Sequence, residues 1–343
     1  MHNKLTILMP SYNRGQYIMQ AVDSALSQKT DFGFKLIITD DCSTDNSVAI
    51  IKELQKRHPD TIEILLSAKN EKLLANILKA QVKVKTEYFC VLDPDDYYTD
   101  EYFLQKAVDF LDTHKDFSIY SSNCQMLYED NTSTPFIKNK LPEAFFTFDD
   151  LLQNKVIITQ TAGSIFRNVV YNNGIPEIIQ KAVGTQSESS FRADTERYIF
   201  HLHKGKAYFK NEIVAVYRIH NAGIWTSAGQ FKRNLLSAQA YYDYFRYFDY
   251  TYPEYFIKTS MHAVKECFEE LKATIDTNTF TKTINIEDIK QLIDLMTENE
   301  KYYDKSFFAN DISKTVKNNI TIKKIIKYAL PYGLVRFIQL KRG

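Results

Sequence analysis

The sequence predicts an α/β fold, a mostly parallel sheet flanked by helices, followed by a helical C-terminal extension. Three observations predict it. Short apolar runs alternate with segments of helical periodicity from Leu5 to Asp96. Each run ends in a polar cluster, and in such sheets the carboxyl ends of the strands are where ligands bind. From about Phe231 the pattern turns helical and rich in aromatic residues.

Leu5 to Met9 is the first apolar run, broken by Pro10-Ser11-Tyr12-Asn13. Tyr17, Ile18, Ala21, Val22, Ala25 and Leu26 then recur at helical spacing. Leu36-Ile37-Ile38 reads as a second buried strand, stopped by Asp40-Asp41-Cys42-Ser43-Thr44-Asp45. A Ser or Asp of that loop suits the N-cap of the helix marked by Val48, Ile50, Ile51 and Leu54. Ile62 to Leu66 is a third strand, and Leu73, Ile77, Leu78 and Val82 mark the face of a third helix. Tyr88 to Leu92 is a fourth strand, ending at Asp93-Pro94-Asp95-Asp96, with a helix from Tyr102 to Leu111 behind it. Further on, Thr159, Thr161 and Ser164 precede the strand-like Ile165-Phe166-Arg167. Asp194 opens a helix that carries Tyr198, Ile199 and Leu202, and the strand-like run Ile213 to Tyr217 leads to His220.

In the last third, Tyr241, Tyr244, Phe245, Phe248 and Tyr252 follow helical spacing up to Pro253, which is expected to end that helix. Val264, Phe268 and Leu271 mark another helix, and Ile289, Leu292, Ile293 and Met296 a third, with a polar loop from Asp276 to Ile284. Residues 1–226 are read as the α/β domain and 227–343 as a helical region with a basic amphipathic tail. In that tail Lys314, Lys317, Lys323, Lys324, Lys327, Arg336, Lys341 and Arg342 have no acidic residue among them, and Ile322, Ile325, Ile326 and Ala329 form an apolar face. Two readings stay open for it: peripheral attachment to an anionic membrane surface, or packing on the domain with the lysines in water.

A formal net charge of +1 over 343 residues gives no reason to expect a nucleic-acid partner. Cys42, Cys90, Cys124 and Cys267 form no Cys-x-x-Cys pair and no zinc spacing, as expected of free thiols in a reducing compartment. The N-terminus has no signal-peptide pattern and no apolar stretch is long enough to span a bilayer. The chain is therefore expected to be cytoplasmic, on the inner face of the membrane if its tail attaches.

The chemistry concentrates at the strand ends. Pro10 to Asn13, Asp40 to Asp45 and Asp93 to Asp96 are far apart in sequence, yet a parallel sheet brings them to one rim. Asp93, Asp95 and Asp96 crowd three carboxylates into four residues, which repel unless a cation is present. Mg²⁺ or Mn²⁺, held by one or two carboxylates and a substrate diphosphate, suits such a cluster. The plainer reading is a solvated acidic turn that favours the dipole of the following helix.

Five pieces, in this order, resemble the inverting glycosyltransferases of family 2, which have the GT-A fold, a Rossmann-type sheet. They are Ile7-Leu8-Met9-Pro10-Ser11-Tyr12-Asn13-Arg14, Ile38 to Ser47, Val91-Leu92-Asp93-Pro94-Asp95-Asp96, Arg192-Ala193-Asp194-Thr195-Glu196 leading into Lys204-Gly205-Lys206-Ala207, and Tyr217-Arg218-Ile219-His220-Asn221-Ala222-Gly223-Ile224-Trp225. The resemblance covers roughly the first two thirds of the chain. It implies transfer of a sugar from a nucleoside-diphosphate sugar, a UDP-sugar by preference, to a hydroxyl on a glycan or lipid-linked glycan of a surface polysaccharide. It implies that Pro10, Tyr12 and Asn13 line the nucleotide pocket, that Asp41 accepts a hydrogen bond from the base, and that Asp93 lies near the ribose. Asp95 then binds the metal with Asp96 beside it, Asp194 is the catalytic base, and His220 is a metal or phosphate ligand.

The sequence departs from the family in three places. Cys42 stands where Gly is frequent, Asn70-Glu71-Lys72 stands in place of Asn-x-Gly, and Ala193 precedes the implied base where an acidic residue is frequent. The last departure leaves Glu196 and Glu188 as rival bases. Two other functions remain. One is a non-catalytic nucleotide- or glycan-binding module. The other is a sugar nucleotidyltransferase, which needs a Gly-rich phosphate loop where this chain has Pro10-Ser11-Tyr12-Asn13.

Overall fold

The first unit of the computed structural model, Met1–Asn221, is built on a ten-stranded sheet. The structure describes residues 2–138, 141–191, 194–220, 228–276 and 284–302. β1 (Asn3–Ser11) is buried without a break from Leu5 to Ser11, the pattern of a strand covered on both faces. α1 (Ile18–Leu26) lays Ile18, Ala21, Val22 and Ala25 into the core, the face that the spacing predicts. Burying an Ile or Val side chain of this kind contributes about 1.5–3 kcal/mol.

β2 (Gly33–Asp40) pairs parallel with β1 so that Ser11 stands opposite Asp40. α2 (Ser47–Arg57) follows; its N-cap is Asn46, with no side-chain cap, rather than a Ser or Asp, while the Ser47 N–H bonds Asp45 Oδ1 at 2.9 Å. β3 (Ile62–Leu66) adds to β2, and α3 (Lys72–Gln81) crosses back. Of the predicted α3 face, Ile77 is buried, but Leu74 and Ala80 are buried with it while Leu73 and Leu78 are only partly buried and Val82 is exposed. β4 (Tyr88–Val91) pairs with the other side of β1.

The remaining strands make the sheet mixed. β5 (Tyr97–Tyr98), α4 (Phe103–Thr113), β6 (Phe117–Tyr128), β7 (Ser133–Pro135), β8 (Glu143–Phe146) and α5 (Phe148–Leu152) come next. A 3-10 turn at Thr161–Gly163 leads into β9 (Ser164–Arg167), and α6 (Glu177–Ala182), α7 (Asp194–Leu202) and β10 (Lys206–Ile219) complete the unit. The strand order is β3-β2-β1-β4-β9-β6-β10-β5, with β7 on β6 and β8 on β10. β9 runs antiparallel between β4 and β6, whereas β10 is parallel to β6. β10 is far longer than the predicted Ile213 to Tyr217, with register shifts between Lys210 and Ala215. A bulge lets a strand bend, and beyond this one β10 reaches β5, where Val216 pairs with Tyr97.

The second unit, Ala222–Gly343, contains α8 (Gln230–Tyr247), α9 (Pro253–Asp276) and α10 (Ile286–Asn299). Ser260 ties them together: its Oγ donates to the Ala238 carbonyl at 2.7 Å and accepts from Asn299 Nδ2 at 2.9 Å. Pro253 does not end the predicted helix but starts the next one. α8 stops at Tyr247, and left-handed residues Asp249, Tyr250 and Tyr252 carry the chain round. Proline is at home on a first helical turn, where its missing N–H has no intrahelical partner to lose. Much of the predicted polar loop from Asp276 to Ile284, and the basic tail, lie outside the described residues. No helix of the described residues is long and apolar enough to cross a membrane.

Candidate active site

The three polar clusters do meet at one rim. Asp41 N donates to the Ser11 carbonyl at 3.0 Å, which joins the ends of β1 and β2. Asn13 has φ +51°, a conformation Asn tolerates better than most residues. Its N–H donates to Ser43 Oγ and its Oδ1 accepts from Thr44 N, both at 2.8 Å. Ser43 in turn donates through Oγ and N–H to the two carboxylate oxygens of Asp40, at 2.6 and 2.8 Å. Arg14 N bonds Ser47 Oγ at 2.9 Å and Gly15 N bonds Asp45 Oδ2 at 3.0 Å. The first two loops are thus laced into a single shelf.

Of the residues expected to line a nucleotide pocket, Tyr12 is 42% exposed at the rim, while Pro10 is buried within β1 and Asn13 is committed to Thr44. Asp41 is 2% exposed, and its Oδ1 accepts from Glu71 N at 2.8 Å. Its Oδ2 carries no hydrogen bond among the described residues. Two of the three departures from the family pattern fall at left-handed backbone positions. Cys42 has φ +63° and Lys72 φ +71°, both in the left-handed region that favours glycine. Asn70 Oδ1 accepts from Lys72 N at 3.1 Å, so the loop keeps its turn without the glycine, and that turn delivers the Glu71 N–H to Asp41.

Asp95 is the electrostatic hub of the third cluster. Arg14 Nε reaches its Oδ2 at 2.9 Å and His220 Nε2 the same oxygen at 3.0 Å. Burial alone would raise this carboxyl, but the His220 hydrogen bond and the Arg14 charge hold it below the usual carboxylate range. His220 is stacked on Tyr17 at 5.6 Å. Arg218 lies between the Tyr17 and Tyr97 rings, 5.0 and 4.6 Å from their centroids, and its Nη1 donates to the Asp95 carbonyl. Its backbone N–H donates to Asp96 Oδ1 at 3.0 Å. Asp96 is buried, and burial together with the Asp95 and Asp93 charges raises its carboxyl well above the ordinary value. Asp93 is pushed up to about 7 by burial, then by the carboxylates of Asp95 and Asp194.

Asp194 therefore belongs to the same field as Asp93, although 101 residues separate them. Its Oδ1 accepts from Thr161 Oγ1 and from Arg197 Nη2, the latter at 2.9 Å. Glu196 points elsewhere. It is 1% exposed, bonded by the Tyr171 hydroxyl at 2.7 Å, and raised to about 7 by burial despite the Arg197 charge. Glu188 is buried too, its Oε2 accepting from Gly184 N at 3.1 Å. Neither rival base faces solvent as Asp194 does.

The donor set admits a divalent cation. Three carboxylates repel one another here, and Asp96 Oδ2 is buried with no hydrogen-bond partner among the described residues. Among the described residues no three His, Cys, Asp or Glu side chains form a metal cage. The protein can thus offer Asp95 and His220, with other ligands left to a diphosphate or water, a division common for Mg²⁺. A cavity of about 590 Å³, lined by His2, Gln81, Thr86, Arg167 and Asn168, lies at the opposite end of β1 and β4 and contains none of these groups.

Sequence reasoning missed Arg14, Tyr17, Tyr97, Arg197 and the part played by Arg218. Arg14 and Arg218 lie inside quoted motifs, and an unpaired carboxylate cluster is itself a signal that cations converge on it. The stretch Asn221 to Trp225, and Arg192-Ala193, lie outside the described residues.

Comparison with known proteins agrees with the resemblance. Residues 6–173 match the model of glycosyl transferase family 2. An uncharacterized protein of Mycobacterium tuberculosis (strain ATCC 25618 / H37Rv) is 30% identical over 224 residues, 65% of this chain. The chain spans 61% of the length of that mycobacterial relative. The putative teichuronic acid biosynthesis glycosyltransferase TuaG of Bacillus subtilis is 28% identical over 64% of this chain and 81% of its own length. Among solved structures, S. aureus TarS 1-349 in complex with UDP-GlcNAc superposes with a TM-score of 0.56 at 16% identity, covering 88% of this chain and 82% of that one. At that identity the likeness is one of fold, the GT-A architecture of a sheet flanked by helices.

Proposed function

We propose that the family 2 glycosyltransferase sequence carried by this chain works as an inverting, metal-assisted glycosyltransferase. It passes a sugar from a nucleoside-diphosphate sugar, a UDP-sugar by preference, to a hydroxyl of a surface-polysaccharide or glycolipid intermediate. One observation carries this reading: Arg14 and His220 meet on one carboxylate oxygen of Asp95 beyond β4, and Arg14 follows Asn13, which is hydrogen-bonded to Ser43 and Thr44 of the loop after β2. The relatives support its direction, since TuaG is named for teichuronic acid biosynthesis and TarS is seen with UDP-GlcNAc.

Each group has a role under this reading. Asp41 offers its unengaged oxygen to an N–H of the base, Tyr12 lies against the base, and Pro10 and Asn13 shape the shelf beneath it. Asp93 lies near the ribose, and Asp96 fixes the Arg218 backbone next to Asp95. Asp95 and His220 would hold Mg²⁺ or Mn²⁺, which supplies positive charge to offset the departing diphosphate. Asp194 accepts the acceptor's hydroxyl proton while that oxygen bonds to the anomeric carbon and the nucleoside diphosphate leaves with the electron pair. A single base suffices because the leaving group needs charge compensation rather than a strong acid.

The test is thermal stability against UDP, GDP, CMP and dTDP, each with and without Mn²⁺. One nucleotide should raise the melting point in a metal-dependent way, and Asp95→Ala should abolish the rise. No shift with any nucleotide at millimolar concentration rejects the reading. Asp194→Asn should lose turnover yet keep nucleotide binding, which separates an enzyme from a binding module. The basic tail is proposed as a peripheral membrane attachment, so deleting residues 322–343 should reduce binding to anionic liposomes.

A further inference from the structure

We infer that Thr161 and Arg197 are positioning residues for Asp194: they hold one carboxylate oxygen and thereby present the other to the acceptor hydroxyl. The inference rests on Asp194 being the base. Thr161 Oγ1 and Arg197 Nη2 both donate to Oδ1, and Oδ2 has no partner among the described residues. The burial is graded to match. The Arg197 side chain is 6% exposed and that of Asp194 34%, so the anchoring cation is buried while the carboxylate it holds remains accessible. A lone carboxylate rotates readily about its last bond, because that torsion is broad. Two donors converging on one oxygen from separate elements remove this freedom.

Both donors are themselves fixed. The Thr161 N–H is held by Gln160 Oε1 at 2.8 Å. Two residues on, Gly163 lies so close to β6 that a Cβ there would stand 2.5 Å from the Ser122 carbonyl oxygen. Only glycine lets this turn approach the strand and set Thr161 against α7. Arg197 belongs to α7 itself, one turn beyond Asp194, and its carbonyl accepts from His201 Nδ1 at 2.6 Å. The other ionisable groups in the field are Asp93, Glu196, Cys124 and Tyr217, each influenced by the Asp194 charge. Arg197 is the cation that bonds Asp194, at 2.9 Å.

The experiment compares Thr161→Val, which keeps the shape and removes the donor, with Thr161→Ser, which keeps the donor. Sugar transfer and nucleotide binding are measured in the full chain with Mn²⁺. Thr161→Val should lower kcat about tenfold or more, with donor KM and nucleotide affinity within about twofold of wild type. Thr161→Ser should restore kcat. Wild-type kcat in Thr161→Val would overturn the inference. So would equal losses in both variants together with lost nucleotide affinity, the mark of a merely structural role. Asp194→Asn run alongside separates the two levels. Wild-type turnover in that variant sinks the base itself, whereas an inactive Asp194→Asn with an unaffected Thr161→Val sinks the positioning alone.

Discussion

Glu196→Gln perturbs a buried carboxyl beside the site and tests stability and chemistry together. Glu196 is 1% exposed, and burial lifts it from the ordinary 4.5 to about 7, with the Arg197 charge and the Tyr171 hydroxyl pulling it partly back. Below pH 4.5 the carboxyl is protonated in both folded and unfolded chains, so it costs nothing. As pH rises towards 7 the unfolded chain ionises while the folded one holds its proton, and stability falls. Above 7 both are ionised and the loss is complete. At about 1.4 kcal/mol per pH unit, the interval from 4.5 to about 7 amounts to about 3 kcal/mol. Glutamine has the same shape and cannot ionise. In urea denaturation, the stability of Glu196→Gln relative to wild type should therefore climb by about 3 kcal/mol between about pH 4.5 and pH 8. The same variant should retain sugar transfer, since Asp194 takes the proton. A stability difference that stays constant with pH would refute the burial argument, and loss of transfer without loss of nucleotide binding would move the base to Glu196.

Other outcomes follow from backbone geometry and charge. Lys72→Gly should raise the melting point by up to about 2–4 °C, because a side chain in the left-handed region costs about 1–2 kcal/mol and glycine returns part of that as unfolded-chain entropy. Lys72→Ala, which keeps the Cβ, should give no such gain. Gly163→Ala should cost about 1–3 kcal/mol in chemical denaturation, since the new Cβ meets backbone at Ser122 rather than a movable side chain. It should also lower kcat by shifting Thr161. Chelation of divalent ions should abolish the nucleotide-induced rise in melting point and added Mn²⁺ should restore it. At a nucleotide concentration of about 100 Kd that rise corresponds to about 2.7 kcal/mol.

The first four strands and their helices were legible because each is a local pattern: an uninterrupted apolar run, then a 3.6-residue period. The polar clusters could be gathered on one rim because parallel connectivity dictates where strand ends go, and the structure brings them there. What depends on contacts between distant segments was not legible. β9 was legible as the strand-like Ile165-Phe166-Arg167, but its antiparallel insertion between β4 and β6 was not, and β10 outruns its apolar run because its bulge interrupts the alternation. The α3 face was misjudged in part because Leu73-Leu74 and Ile77-Leu78 are adjacent apolar pairs, and periodicity alone does not say which member of each is buried. At the site, Asp95 could be picked out by type and position. That Arg14 and His220 share one of its oxygens, or that Thr161 reaches Asp194, required coordinates.

The long span between Asp95 and His220, 125 residues, gives the protein a history as well as a geometry. A ribosome adds about 5–20 residues each second, so roughly 6–25 seconds separate the two. Early in that interval, until β9 (Ser164–Arg167) is made, a nascent β1–β4 sheet would present β4 as an open edge, and until its end the carboxylates would lack the imidazole of His220 and the guanidinium that β10 brings. An open strand edge invites pairing with another chain. Completion of the sheet and neutralisation of the site are thus one event in the life of the chain, and a product truncated before β10 would be both inactive and prone to aggregate.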